Sequence, residues 1–524
     1  MVPPSLAVTA VNVVEAALKS PGMEELAALG ERMSAKSGHA GSDAVEALAA
    51  APVAVVRSIA LLLQAKAAEA LQIITDGDDG DDGDDGEAAM AEGDDGAAAA
   101  VAAALSADRR ALCHRALAAA AVVVRRVLEH CGDATPAVLL PAATLLHDTV
   151  LLASAFPAPA QDAVAVMCEA WWHSEKPGRE NLVTKTAPYL VFLALSTRRA
   201  TEVKRLNSMR HAFSMFDWDD DATILSLKKL LLRCAFAPQF LRSAEGRRFL
   251  SFLFTLHPGT TRDLMAIVRN QIPVARKSIL AHYGDVLFRA WRCAGGECLH
   301  EIERVGVQGL ADAALLASTP QMAASLRAVL CGFHAQKAYR GVDAMLLRLY
   351  EPILFRALSA ANPAVRRNAC SLLVDVFPLQ DPEADVEVTD GLLARQAGII
   401  SQLMGDAAPA VRAAAVDGIC RILNTFWELV PAPTTAAFLA KLVDGLARDA
   451  AASSVRAAVC EGLTRLVDNP LAQPVLRAVL PRLAPLIGDS AGRVRVALVN
   501  PEIRTLDSTP YFALPEPYTL IPKS

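Results

Sequence analysis

The residues of this chain whose types and spacing could do chemistry are a run of cations rather than a nucleophile and its base. Residues 176–292 carry 20 Lys and Arg against 9 Asp and Glu, a local charge of +11 inside a chain of net charge −6. The clusters are Arg198-Arg199, Lys204-Arg205, Lys228-Lys229 with Arg233, Arg242 with Arg247-Arg248, and Arg276-Lys277. Guanidinium and ammonium groups bind a nucleic-acid backbone by neutralising phosphates and releasing counterions, so these twelve are candidate double-stranded DNA ligands. The competing expectation is a set of ordinary solvated helix faces, some paired with the acidic run from Asp217 to Asp221. The flanking regions do not share the excess. Residues 1–175 hold 10 basic and 25 acidic side chains, and residues 293–524 hold 21 and 23.

Other chemistries lack their minimum parts. There is no Gly-x4-Gly-Lys-Ser/Thr loop, no Gly-x-Ser-x-Gly elbow and no His-Glu-x-x-His, so no catalytic residue is assigned and the chain is expected not to be an enzyme. Cys293, Cys298 and His300 offer three ligands at irregular spacing with no fourth, which reads as an inter-helix turn rather than a zinc site. Residues 76–87 imitate a calcium loop but place Asp81 where that loop needs Gly. No metal, no cofactor and no small-molecule substrate are therefore expected.

What must position the cations is an array of helices. The composition is 53% hydrophobic and only 5% aromatic, rich in Ala, Leu, Val and Arg, which favours helices with small residues at their contacts. Four segments repeat a turn residue, a short link and Val-Arg opening an apolar helix: Val365-Arg366, Val411-Arg412, Val455-Arg456 and Val494-Arg495. The valines stand 46, 44 and 39 residues apart, close to the ~40–47 residue period of HEAT and armadillo helix pairs. From Val411, the residues Ala414, Ala415, Gly418, Ile419, Ile422 and Leu423 trace one apolar helical face. Pro481 inside the corresponding stripe from Leu476 to Ile487 predicts a bent helix. Arg366, Arg412, Arg456 and Arg495 recur at one repeat position and are expected to pair with aspartates of adjacent repeats. The fold expected is all-α, a HEAT-repeat α-solenoid of antiparallel helix pairs.

The chain divides by composition into an N-terminal helical segment (1–75), an acidic insertion expected to be disordered (76–96, 11 acidic residues and no basic one), the solenoid (97–499) and a Pro-rich irregular tail (500–524). Ten cysteines with no regular short spacing predict reduced thiols of the cytosol or nucleus, and the first twenty residues contain no basic segment ahead of an apolar core, so no secretory signal is expected. His147, Asp148 and Pro141 interrupt the most apolar stretch, so no membrane span is expected.

Local sequence is specific enough to name a family. Residues 245–254 (EGRRFLSFLF), 276–280 (RKSIL), 287–291 (LFRAW), 333–337 (FHAQK), 341–358 (GVDAMLLRLYEPILFRAL), 374–382 (VDVFPLQDP) and 426–431 (FWELVP) resemble the G-type HEAT subunits of condensin II. So do Trp171-Trp172 and residues 216–220 (FDWDD), and the resemblance runs in order from about residue 165 to 499. It implies a non-catalytic regulatory subunit that binds the kleisin and, through it, the SMC ATPases, and that holds double-stranded DNA in mitotic chromosome assembly and condensation in the nucleus. It also implies further repeats beyond Val499, where this chain turns Pro-rich instead, so a truncated form of the family is expected. The alternative function is a HEAT adaptor for nuclear transport or phosphatase assembly, which would hold an acidic peptide in the same groove.

Overall fold

A computed structural model describes residues 14, 16–20, 22–34, 53–76, 95–130 and 135–499, and every regular element among them is helical. The acidic stretch from 77 to 94 and the Pro-rich stretch from 500 to 524 lie outside the described residues. Packing divides the chain into two compact units, residues 1–249 and 250–524. No described helix is long and apolar enough to cross a membrane.

In the first unit the long helix Asp95–His130 packs against Glu24–Ser34 and Ala158–His173, and Val53–Asp76 packs against Thr135–Val150. Alanine is what allows these contacts to be close. A Cβ added to Gly30 would fall 2.2 Å from Ala119 Cβ, so the first two of these helices meet almost backbone to backbone. Further along come Thr186–Thr197, Ala200–Ser208, Asp221–Cys234, Pro238–Arg242 and Ala244–Leu253, the last of which carries the boundary between the units. Buried His147 joins sequence-distant segments: its Nε2 accepts the Lys185 N–H at 3.1 Å.

The second unit shows the repeat most plainly. Helices Lys277–Cys293, Pro320–His334, Pro363–Val376, Pro409–Thr425, Ser453–Val467 and Gly492–Val499 form one row, each packed on the next. Their partners on the other layer include Gly309–Leu316, Val342–Leu358 and Val386–Leu403. Quasi-one-dimensional stacking of this kind makes stability a sum of repeat and neighbour terms. Small residues set the spacing again: a Cβ on Gly332 would lie 2.5 Å from the Gly284 carbonyl carbon, where two helices of the row touch. The α-helix Gln473–Val479 gives way at Leu480 to a tighter 3-10 stretch, Leu480–Gly488, that holds Pro481 and Pro485. Proline cannot donate the α-helical hydrogen bond, which accounts for the change.

An arginine–aspartate ladder runs along the links that precede the row. Arg366 is bidentate on Asp406 (Nε–Oδ2 2.7 Å, Nη2–Oδ1 2.8 Å) and gives Nη1 to the Ala360 and Ala361 carbonyls. Arg412 holds Asp449 (Nε–Oδ2 2.8 Å) and the Asp406 carbonyl, and Arg456 holds Asp489 (Nε–Oδ2 2.6 Å, Nη2–Oδ1 2.8 Å) and the Asp449 carbonyl. Each aspartate also accepts backbone N–H groups at the start of the next helix, Asp449 from Ala451 and Ala452 at 2.9 Å. One carboxylate thus closes the turn just before its own helix and ties down the arginine of the preceding repeat. Arg495, on the last described helix, gives Nη1 to the Asp489 and Ser490 carbonyls.

Buried histidine makes this unit acid-sensitive. His334 is buried with its Nε2 2.9 Å from the Tyr350 hydroxyl, and burial pushes its pKa down to about 4. Both folded and unfolded chains hold a neutral imidazole above pH ~6.5; below that the unfolded chain alone takes up the proton until the folded pKa is reached. Stability should therefore fall by roughly 1.4 kcal/mol per pH unit on this account between pH ~6.5 and ~4. Urea midpoints across that range should fall less steeply for His334→Gln than for the wild type; equal slopes would remove His334 as the cause.

Candidate nucleic-acid interface

The first unit gathers part of the basic set at helix ends. Helix Thr186–Thr197 ends at Arg198, whose φ of 55° puts a bulky residue in the left-handed region that Gly or Asn usually fills after a helix. Arg199 is the residue before helix Ala200–Ser208. On helix Asp221–Cys234, Ile224, Leu227, Leu231 and Cys234 face the core, which turns Lys229 and Arg233, one turn apart, to solvent. The turn after that helix is fixed to the first one: Gln239 Nε2 donates to the Ala194 carbonyl at 3.2 Å. Arg242 then closes the short helix Pro238–Arg242. Arg198, Arg199, Arg233 and Arg242 therefore stand at the ends of four helices, two of which, Thr186–Thr197 and Pro238–Arg242, are joined by that bond.

All four are exposed, as are Lys204 and Lys229, and none of these six side chains has a hydrogen-bond or ion-pair partner among the described residues. Arg233 and Arg242, in the last turns of their helices, sit favourably on the helix dipole, whereas Arg199 precedes a helix and gains nothing from it. An unpaired guanidinium offers several N–H donors in a plane, suited to phosphate oxygens.

Arg205 requires a correction. Its Nη1 is 2.8 Å from Asp162 and 2.8 Å from Glu202, and its Nη2 is 2.6 Å from Glu169. Burial alone would lower its pKa, but Glu169 and Asp162 raise it above the usual arginine value. A guanidinium shared by three carboxylates holds helices Ala158–His173 and Ala200–Ser208 together, with four of its five N–H donors committed and its charge already neutralised. Arg247 is half committed as well, with Nη1 on the Leu241 and Arg242 carbonyls. Arg248 makes an exposed pair with Glu245 at 2.7 Å, a surface contact that a polyanion can displace at small cost. Lys228 is half-buried and already has a partner.

Arg276 and Lys277 belong to the second unit, at the start of helix Lys277–Cys293. Both are exposed and unpartnered among the described residues. They occupy the positive end of the helix dipole, where a cation gains nothing locally.

The ionisable groups with shifted pKa values elsewhere serve the fold. Lys337 is lowered by burial and Asp343 raised by burial; the Lys337 ammonium meets Asp343 at 3.1 Å and the carbonyls of Val376 and Pro378. They edge a groove of about 360 Å³ with Phe377, Arg421 and Phe426, where Lys337 clamps one inter-helix link to the next. Cys298 is buried while Cys293 and His300 are exposed, and the described residues contain no group of three metal-ligating side chains.

Sequence reading missed two aromatic side chains at the basic surface. Phe236, three residues after Arg233, is 47% exposed, and Phe192, two residues before the anchoring Ala194, is 56% exposed. No periodicity marks a lone ring turned outward from an otherwise apolar helix.

Comparison with known proteins places this geometry in context. Residues 233–381 match the family model described as "Condensin II non structural maintenance of chromosomes subunit". The chain is 34% identical over 346 residues to the condensin-2 complex subunit G2 of Danio rerio, covering 65% of this chain and 30% of that protein. It is 33% identical over 364 residues to the Mus musculus subunit G2 (69% and 32%) and 35% identical over 342 residues to that of Xenopus laevis (64% and 29%). The chain thus spans about 30% of the length of the curated relatives it matches.

Proposed function

We propose, from the premise that this chain belongs, over the part its relatives match, to the G-type non-SMC subunit family of condensin II, that it is a non-catalytic scaffold binding double-stranded DNA and the kleisin. On this reading it works in mitotic chromosome assembly and condensation, on chromosomes in the nucleus, and reaches the SMC ATPases only through the kleisin. The observation that carries the DNA part is the group of four exposed arginines at helix ends, Arg198, Arg199, Arg233 and Arg242, that have no side-chain partner among the described residues. Lys204, Lys229 and Arg248 extend the same unit's contact set, and Arg276 and Lys277 supply a second one. The family model overlaps the C-terminal part of this region, from residue 233.

Charge steering of this kind is sequence-independent, as expected of a protein that gathers chromosomal DNA rather than reading it. The repeat row supplies the extended surface on which a partner peptide can lie. The kleisin part is tested by co-expression: this chain and a condensin II kleisin fragment should elute together in gel filtration. Separate elution at physiological salt, with both partners folded, would contradict it.

A further inference from the structure

The arginine surface of the first unit contains a feature that phosphate binding does not use. Phe236 sits in a turn whose neighbours are packed away: Cys234, Ala235, Ala237 and Phe240 are all buried. Hydrogen bonds from Ala235 N to the Leu232 carbonyl and from Ala237 N to the Cys234 carbonyl close the turn, and the Gln239–Ala194 bond ties the helix after it to the neighbouring one. The ring is therefore the one side chain of this turn, from 234 to 237, that faces solvent, between Arg233 and Arg242 in sequence and beside the Ala194–Arg199 end of the neighbouring helix. Phe192 is exposed on that neighbour.

A single exposed ring is ordinary on a protein surface. One held in a hydrogen-bonded turn that follows Arg233 and precedes Arg242, both without a side-chain partner among the described residues, has a narrower use. Intact duplex presents phosphates to the arginines but hides its base faces in the stack, so it leaves the ring unused. Unstacked bases present a flat apolar face together with the same phosphates, and base–aromatic stacking tolerates any sequence. We propose that this surface prefers DNA with unstacked bases, such as a bubble or gap, over intact duplex, with Phe236 as the stacking platform. The inference rests on the DNA-binding reading above and deepens it.

The test uses the full chain and fluorescence anisotropy with a duplex and with the same duplex carrying a central unpaired bubble. Stacking of one base is worth ~1–3 kcal/mol, so the wild type should bind the bubble about tenfold more tightly. Phe236→Ala should abolish that preference and leave duplex affinity unchanged, and Phe236→Trp should retain it. Equal binding of both DNAs by the wild type overturns the proposal. So does an equal loss on both with Phe236→Ala, or a loss of kleisin co-elution with the bubble preference intact, which would assign the ring to a protein partner. Reversal of Arg198, Arg199, Arg233 and Arg242 to Glu separates the two levels: if that variant binds duplex and bubble as the wild type does, the DNA-binding reading fails with the proposal. If it weakens both while the wild type shows no bubble preference, only the stacking proposal fails.

Discussion

Reversing Arg198, Arg199, Arg233 and Arg242 to Glu should lower duplex affinity by on the order of a thousandfold at 0.1 M salt. Each phosphate contact contributes ~0.9 to the slope of log K against log salt, hence about 0.9 of a decade at that salt, so four lost contacts remove three decades or more. The loss should shrink as salt rises, because the contacts removed are the salt-sensitive ones. The fold should tolerate the change, since none of the four side chains has a partner among the described residues. The contrasting variant is Arg205→Glu, which sets a fourth carboxylate among Asp162, Glu169 and Glu202. It should lower stability, seen as an earlier urea transition. A four-site variant that keeps full affinity would move the DNA path off this surface.

Asp449→Ala should cost about 3 kcal/mol, the low end for breaking a buried ion pair. The Arg412 and Asp449 side chains are only 11% and 7% exposed, and the substitution leaves the guanidinium without its carboxylate. It also strips the Ala451 and Ala452 N–H groups of their acceptor at the start of helix Ser453–Val467. Because repeats support one another only through their neighbours, the damage should be local. Amide exchange in residues 453–467 should accelerate by about a hundredfold, at 1.4 kcal/mol per decade, with little change in residues 320–334. Asp449→Asn, which keeps an acceptor oxygen, should lose less. Pairing Asp449→Ala with Arg412→Met should restore part of the loss, since removing both charges avoids a buried orphan. Unchanged exchange in Asp449→Ala would mean that the rung contributes nothing to the stacking.

The helical repeat was legible because it is written at short range. Val-Arg after a turn residue recurs near the period of a helix pair, and the apolar stripe from Val411 matches residues that are buried, among them Ala415, Gly418, Ile419, Ile422 and Leu423. Contacts that span a whole repeat were not legible in the same way. Glu202 is one turn from Arg205, but Asp162 and Glu169 lie 43 and 36 residues upstream and meet it only after the helices stack. The pairing of Asp375 with both Arg327 and Arg421 is hidden for the same reason. Charge counting could find the basic region yet could not separate spent cations from free ones. Local residue type also says little about Phe236, which is exposed between buried Ala235 and Ala237.

The central claim is that duplex DNA is held by charge on this chain, and the salt dependence of wild-type binding tests it most directly. Anisotropy of a fluorescent duplex, measured from low to high salt with and without a condensin II kleisin fragment, should give a log–log line with a slope of about −4 or steeper, roughly −0.9 for each of the arginines and lysines engaged. A slope near zero, or no binding at low salt even with the kleisin present, would contradict the account and leave the basic surface to a protein partner.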